Sequence, residues 1–201
     1  MISIIDYGMG NLRSVQKGLE SAGLVAQVTG HPEEVAAASG VILPGVGAFK
    51  DAVASLNRTG MAQALQEVVR QRIPLLGICL GMQLLFSESE ENGNHRGLDI
   101  IPGRVVRFPY EEKVPHMGWN QLRQVRSSPL FIGIPNDSYF YFVHSYHCIP
   151  QGDESIGICH YGREFCCAVQ KDSIMGCQFH PEKSSALGLQ ILKNFGRIVN
   201  K

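Results

Sequence analysis

No excess of either charge, no apolar run of membrane-spanning length and no pair of cysteines at C-x-x-C spacing occurs in this 201-residue sequence. Lys and Arg number 18 against 18 for Asp and Glu, so the chain lacks the net positive field that draws proteins to phosphate backbones, and no nucleic acid partner is expected. The opening Ile2-Ser3-Ile4-Ile5 stops at Asp6, too short for the apolar core of a signal peptide, and with no membrane-spanning run the expectation is a cytoplasmic protein without a membrane partner. Without a secreted context or paired spacing, the six cysteines read as free thiols rather than a disulfide framework. Cys148, Cys159, Cys166, Cys167 and Cys177 lie in apolar or strand-like stretches, where reduced cysteine behaves as a small buried hydrophobe. His144, His147 and Cys148 lack the ligand pairs at two separated places that a zinc site needs, so no metal or other cofactor is expected.

What is present is the composition of an ordinary globular chain, 44% hydrophobic and 18% charged, at a length that fits one domain over residues 1–201, with no repeats or linkers. Ile2 to Asp6 reads as a strand, and Leu12, Val15, Leu19 and Ala22 follow at helical spacing until Gly23 stops them. Leu24 to Val28 and Val41 to Leu43 read as further strands, then Phe49 to Leu56 and Met61 to Val69 carry helical stripes. Leu75 to Ile78 is a strand that runs into Cys79. Ser87 to Gly97 reads as a polar surface loop. Strand-like runs then dominate at Val105–Phe108, Tyr139–Val143, Ser155–Ile158 and Ile174–Phe179, before a last helix through Leu187, Ile191, Phe195 and Ile198. The pattern predicts an α/β fold: a doubly wound, mostly parallel sheet flanked by helices, with additional β-strands in the second half. Ligands of such sheets sit beyond the carboxyl ends of the strands, which directs attention to three turns.

Gly8-Met9-Gly10 has the start of a dinucleotide fingerprint, but the third glycine position is Arg13, so it reads as a plain glycine turn. Gly77-Ile78-Cys79-Leu80-Gly81 matches the G-x-S-x-G nucleophile elbow with sulfur in place of oxygen. A nucleophile on so sharp a turn lies close to neighbouring backbone, which explains the glycines, and the helix start that follows offers unpaired N–H groups that favour an anion. Pro44-Gly45-Val46-Gly47 is equally a plain turn or a loop whose N–H groups meet a developing oxyanion.

A cysteine nucleophile needs a base, and Phe179-His180-Pro181-Glu182 offers one with its own orienter. In extended chain, His180 and Glu182 project to the same side, so the carboxylate holds one ring nitrogen while the other faces sulfur. Taken alone, however, the tripeptide reads better as the cap of the final helix, through Glu182 and Ser184, and His144 is a competing base.

Together, Pro44-Gly45-Val46-Gly47, Gly77-Ile78-Cys79-Leu80-Gly81-Met82-Gln83 and His180-Pro181-Glu182 resemble the triad-type (class I) glutamine amidotransferases, in order and spacing. The resemblance spans essentially the whole chain. It implies that Cys79 attacks the side-chain amide of L-glutamine, that His180 protonates the departing ammonia, that Glu182 orients His180, and that water hydrolyses the resulting thioester. It further implies that Gly45, Val46 and Gly47 form the oxyanion loop and that Gln83, Ser145 and Tyr146 hold the glutamine. Asp6-Tyr7-Gly8-Met9-Gly10-Asn11-Leu12 and Pro115-His116-Met117-Gly118-Trp119-Asn120 are similar to the branch that works in histidine biosynthesis, which implies a heterodimer with a cyclase subunit, a β/α barrel receiving ammonia through a tunnel. Met117, Trp119 and Asn120 would meet that partner. A paralogous glutaminase serving another synthase, such as one that amidinates a sugar, and a regulatory subunit without catalysis are the alternatives.

Overall fold

The computed structural model describes residues 1–200. The first half alternates strands and helices: β1 (Ile2–Ile5), α1 (Leu12–Ser21), β2 (Ala26–Thr29), α2 (Pro32–Ala36), β3 (Gly40–Leu43), α3 (Phe49–Arg58), α4 (Met61–Arg70), β4 (Leu75–Ile78) and α5 (Leu80–Leu84). Strands fill the second half: β5 (Phe86–Ser89), β6 (His95–Arg96), β7 (Ile101–Arg107), β8 (His116–Gln124), β9 (Ser138–His144), β10 (Tyr146–Pro150), β11 (Ser155–Tyr161), β12 (Arg163–Lys171) and β13 (Ile174–Cys177), after which α6 (Ser185–Val199) closes the chain.

Local chemistry sets several of these boundaries. The Asn11 side chain accepts a hydrogen bond from Ser14 N at 3.3 Å, capping α1. Gly23, at φ +78°, turns the chain where that helix ends, a left-handed conformation open to glycine at little cost. The stripe of α1 buries Val15, Gly18 and Leu19; that of α4 buries Met61, Ala64, Leu65 and Val68.

Strands β2, β1, β3, β4 and β13 lie in that order and all pair in parallel. Antiparallel pairing takes over at β12 and continues through β10 to β7, while β11, β8 and β9 extend from the edge of β12. Helices cover both faces of the parallel region, as the sequence predicts. Successive residues of each strand serve opposite faces. Ile4, Ile42 and Leu76 pack with Val15 and Leu19 of α1 and Ile191 and Phe195 of α6, while Ile5, Val41 and Leu75 pack with Phe49, Leu56, Leu65 and Val68 of α3 and α4. Strands buried on both sides are apolar throughout rather than alternating, which is why these short runs stand out in the sequence. Each fully buried Leu or Ile contributes about 1.5–3 kcal/mol.

The second half departs from expectation in places. Ser87 to Gly97 is a loop only in its middle: its ends belong to β5 and β6, β5 pairs in parallel with β7 and antiparallel with β6, and Ser89 is buried between them. Its polar side chains sit where a hydrogen-bonded edge, not an apolar face, organises the backbone. Strands β8, β10 and β12 and the single-turn helix α2 also lie outside the sequence reading. In β8 the usual polarity is inverted, with His116 buried and Met117 and Trp119 exposed, so an alternation search for apolar-in residues passes it over. β2 begins at Ala26 rather than Leu24, since Val25 projects into solvent. Among the described residues, no helix is long and apolar enough to cross a membrane.

Candidate active site

Because β1, β3, β4 and β13 are parallel, their carboxyl ends share one edge of the sheet, and the segments leaving them meet there. β4 delivers Cys79, whose N–H continues the ladder by donating to Cys177 O at 2.8 Å. The residue then takes φ 55°, ψ −113°, a conformation that L side chains seldom adopt, before α5 begins. Glycines make the elbow sterically possible. A Cβ on Gly77 would stand 2.7 Å from Gly81 O, and one on Gly81 would overlap the carbonyl oxygen of Leu43 at the end of β3. A Cβ on Gly45 would meet Tyr7 Oη at 2.8 Å and Leu80 Cβ at 2.9 Å, so the Pro44–Gly47 loop is pressed directly onto the elbow.

β13 pairs with β4 so that Cys177 lies opposite Ile78, which carries His180 to the side of Cys79. The His180 ring and the Glu182 carboxylate are both buried, with Nδ1 donating to Glu182 Oε1 at 2.8 Å. That bond fixes the proton on Nδ1 when the ring is neutral and leaves Nε2 as the free position. The chain does not reach this geometry by extension, as the sequence suggested: Pro181–Lys183 is a 3-10 turn that folds the carboxylate back onto the ring. Ser184 does not cap α6 with its side chain; its Oγ donates to His180 O at 2.6 Å and accepts from Tyr141 N at 3.0 Å, clamping the histidine backbone against β9. Gly18 of α1 admits the carboxylate stem, since a Cβ there would come within 3.0 Å of Glu182 Cβ.

Burial is the largest influence on His180 and lowers its pKa, but the sulfur of Cys79 and the carboxylate of Glu182 outweigh it and raise the value to about 9. His180 Nε2 has no hydrogen-bond partner within ordinary limits, so its interaction with Cys79 is one of proximity and charge rather than a formed hydrogen bond. His144 does not serve as an alternative base. Its Nδ1 donates to Tyr146 O at 2.8 Å, its Nε2 is engaged by His116 Nδ1 at 2.9 Å, and burial pushes its pKa down to about 3.

Cys79, His180, Val46, Gly47, Gln83, Ser145 and Tyr146 line one cavity of about 350 Å³. Gly45 sits behind it, against Leu80, and Glu182 lies behind His180. Met117 and Trp119 are exposed on β8, whereas Asn120 projects to the opposite face, where its Nδ2 donates to His160 O at 2.9 Å. Three lining or supporting residues escape sequence reading: Glu91 and Lys183 at the cavity wall, and Gln178, fully buried with Nε2 3.7 Å from Cys79 Sγ. The only sequence signal for Gln178 is an amide closing the apolar run of β13, where a buried polar group demands partners. The other five cysteines are free and buried, as expected. A strained thiol, a histidine held by a carboxylate and a cavity between them suit nucleophilic attack on a small carbonyl compound.

Residues 3–199 match the glutamine amidotransferase class-I family, and the chain belongs to it. Solved structures agree on the fold: a glutamine amidotransferase crystal structure superposes with TM-score 0.78 over 100% of this chain and 99% of its own at 15% identity, and PurLQS from Thermotoga maritima with TM-score 0.75 over 99% and 96% at 16% identity. Sequence relatives narrow the branch. Imidazole glycerol phosphate synthase subunit HisH from Moorella thermoacetica is 57% identical over 98% of this chain and 95% of its own length, and the protein of the same name from Methanocaldococcus jannaschii is 51% identical over 97% and 98%.

Proposed function

We propose that this chain is the glutaminase subunit of an imidazole glycerol phosphate synthase, hydrolysing glutamine to glutamate and ammonia for histidine biosynthesis. The observation that carries the reading is the convergence, within one cavity, of the strained Cys79 elbow and the His180–Glu182 pair, in a chain more than half identical to HisH subunits over nearly its whole length. Cys79 is the nucleophile. Its thiol proton passes to His180 Nε2, the sulfur attacks the amide carbon, and His180 returns the proton to the departing ammonia. Water then hydrolyses the thioester, with His180 as base. Glu182 keeps the imidazolium favourable, the Gly45-Val46-Gly47 loop meets the oxyanion, and Gln83, Ser145 and Tyr146 hold the substrate. Glu91 and Lys183 place opposite charges on the cavity wall, which suits the zwitterionic end of an amino acid.

A synthase subunit has a partner subunit. We take that partner to be a cyclase of β/α-barrel form, docking on the face where Met117 and Trp119 of β8 stand beside Val143 and Tyr141 of β9. Val143 also lines the cavity, so this apolar face is continuous with the site. Handing ammonia directly to a partner keeps it from protonating in water. The test is glutamate release by the purified chain, alone and with a histidine-pathway cyclase and its ribulosyl ligand. Strong stimulation supports enzyme, partner and coupling together. Absence of stimulation, with Cys79 still labelled by a glutamine analogue, would assign the subunit to another synthase.

A further inference from the structure

Gln178 contacts the Cys79 sulfur at 3.7 Å, and the direction of its amide is decided by its surroundings. A carbonyl oxygen can only accept. Gln83 meets Tyr146 O at 3.0 Å and must therefore turn Nε2 toward it; the second hydrogen of that nitrogen goes to Gln178 Oε1, also at 3.0 Å. What Gln178 presents to Cys79 Sγ, at 3.7 Å, is consequently its N–H. The Tyr146 carbonyl is pinned from the other side by His144 Nδ1–H at 2.8 Å. His144 Nε2 is then an acceptor for the hydrogen bond donated by His116 Nδ1–H at 2.9 Å, and His116 Nε2 accepts from Asn120 Nδ2 at 3.1 Å. Asn120 has no freedom to flip, because Gln121 N–H donates to its Oδ1 at 2.7 Å while Nδ2 also serves His160 O. Backbone groups at three places thus fix the polarity of every side chain from Asn120 to Cys79, and Gln83, His116, His144 and Gln178 are all buried.

We propose that Gln178 is a hydrogen-bond donor to the Cys79 sulfur, locked in that direction by Gln83 and the doubly occupied Tyr146 carbonyl, and that it stabilises the negative sulfur formed when the thiol ionises. The proposal rests on Cys79 being the nucleophile. In the ionisation the S–H bond breaks, the proton bonds to His180 Nε2, and the electron pair remains on sulfur; Gln178 keeps its own proton. The other contact of the sulfur, 3.9 Å to Val143 O, serves only the thiol, since a carbonyl cannot donate. Gln178 is the contact that persists and strengthens as charge develops.

The test is the rate at which iodoacetamide alkylates Cys79 at pH 7 in the whole chain, read by mass spectrometry with Cys79→Ser as the blank. Gln178→Met removes the donor at similar length, and Gln178→Glu keeps the shape while presenting only acceptors. Folding is checked by thermal melting. Alkylation tenfold slower in Gln178→Met, and slower again in Gln178→Glu, supports the proposal; a wild-type rate in folded Gln178→Met overturns it and leaves the amide a mere tie between α5 and β13. A second readout needs no variant. In 15N spectra of the wild-type histidines at neutral pH, His144 and His116 are each expected neutral with the proton on Nδ1, and an Nε2–H form of either would overturn the polarity. Because alkylation requires no glutamine, a chain that alkylates as expected yet releases no glutamate with any cyclase would sink the glutaminase reading and not this one.

Discussion

Replacing Glu182 by Gln removes one charge from behind His180 and little else, since the amide oxygen can still accept from Nδ1. The imidazolium is what suffers. Burial works against it, and the rise from 6.5 to about 9 depends on Cys79 and Glu182. That interval corresponds to about 3 kcal/mol in favour of the protonated ring, at about 1.4 kcal/mol per tenfold. A charge-assisted buried hydrogen bond accounts for about 1.5–3 kcal/mol of such a preference, so kcat for glutamine hydrolysis is expected to fall about 10- to 100-fold. KM should change little, because Glu182 lies behind the histidine and outside the cavity wall. Stability carries a signed signature. A raised folded pKa contributes stability that is fully present below pH 6.5 and is lost as pH rises through about 9, so the wild type should exceed Glu182→Gln by about 1.5–3 kcal/mol at pH 6 and by less than about 1 kcal/mol near pH 10. Urea unfolding at the two pH values reads this directly. An equal stability gap at both would refute the claim that the carboxylate acts by holding a charged imidazole.

Two further substitutions probe the elbow and the proposed docking face. Gly81→Ala drives a Cβ into Leu43 O and is expected to destabilise the fold by more than about 3 kcal/mol, seen as lost soluble yield or a sharply lowered thermal midpoint; a variant that melts with the wild type would contradict the packing. Trp119→Ala should leave the melting of the lone chain nearly unchanged, because the ring is 51% exposed, yet weaken binding of the proposed cyclase partner at least tenfold by titration calorimetry; unchanged binding would remove Trp119 from the proposed face.

Sequence reading reached the parallel half of the fold because strands buried on both faces are written as unbroken apolar runs, and α1, α3 and α4 as stripes three and four apart. It missed β8 and β5 for the converse reason: His116 and Ser89 are buried through hydrogen bonding and stacking, which hydrophobicity does not register. Cys79, His180 and Glu182 are legible as residue types at recognisable spacing, but a 3-10 turn, not extended chain, brings the Glu182 carboxylate to the ring. The partnership of Gln178 with Cys79 was not legible. It joins residues 99 positions apart through an amide whose direction only the three-dimensional network decides. Asn120 illustrates the same limit: the motif groups it with Met117 and Trp119, but the pleat sends it to the other face.

The backbone of Cys79, at φ 55° and ψ −113°, has a consequence for how this chain tolerates change. Glycine visits that region freely, whereas any residue with a Cβ holds it at a cost of about 1–3 kcal/mol, supplied by the surrounding sheet. Cys79→Gly should therefore unfold at a higher temperature than the wild type, and Cys79→Ala should not, even though both lack the thiol. With Cys79 as the proposed nucleophile, stability and activity pull in opposite directions at this single position: random drift selected only for a well-folded protein would discard the thiol first.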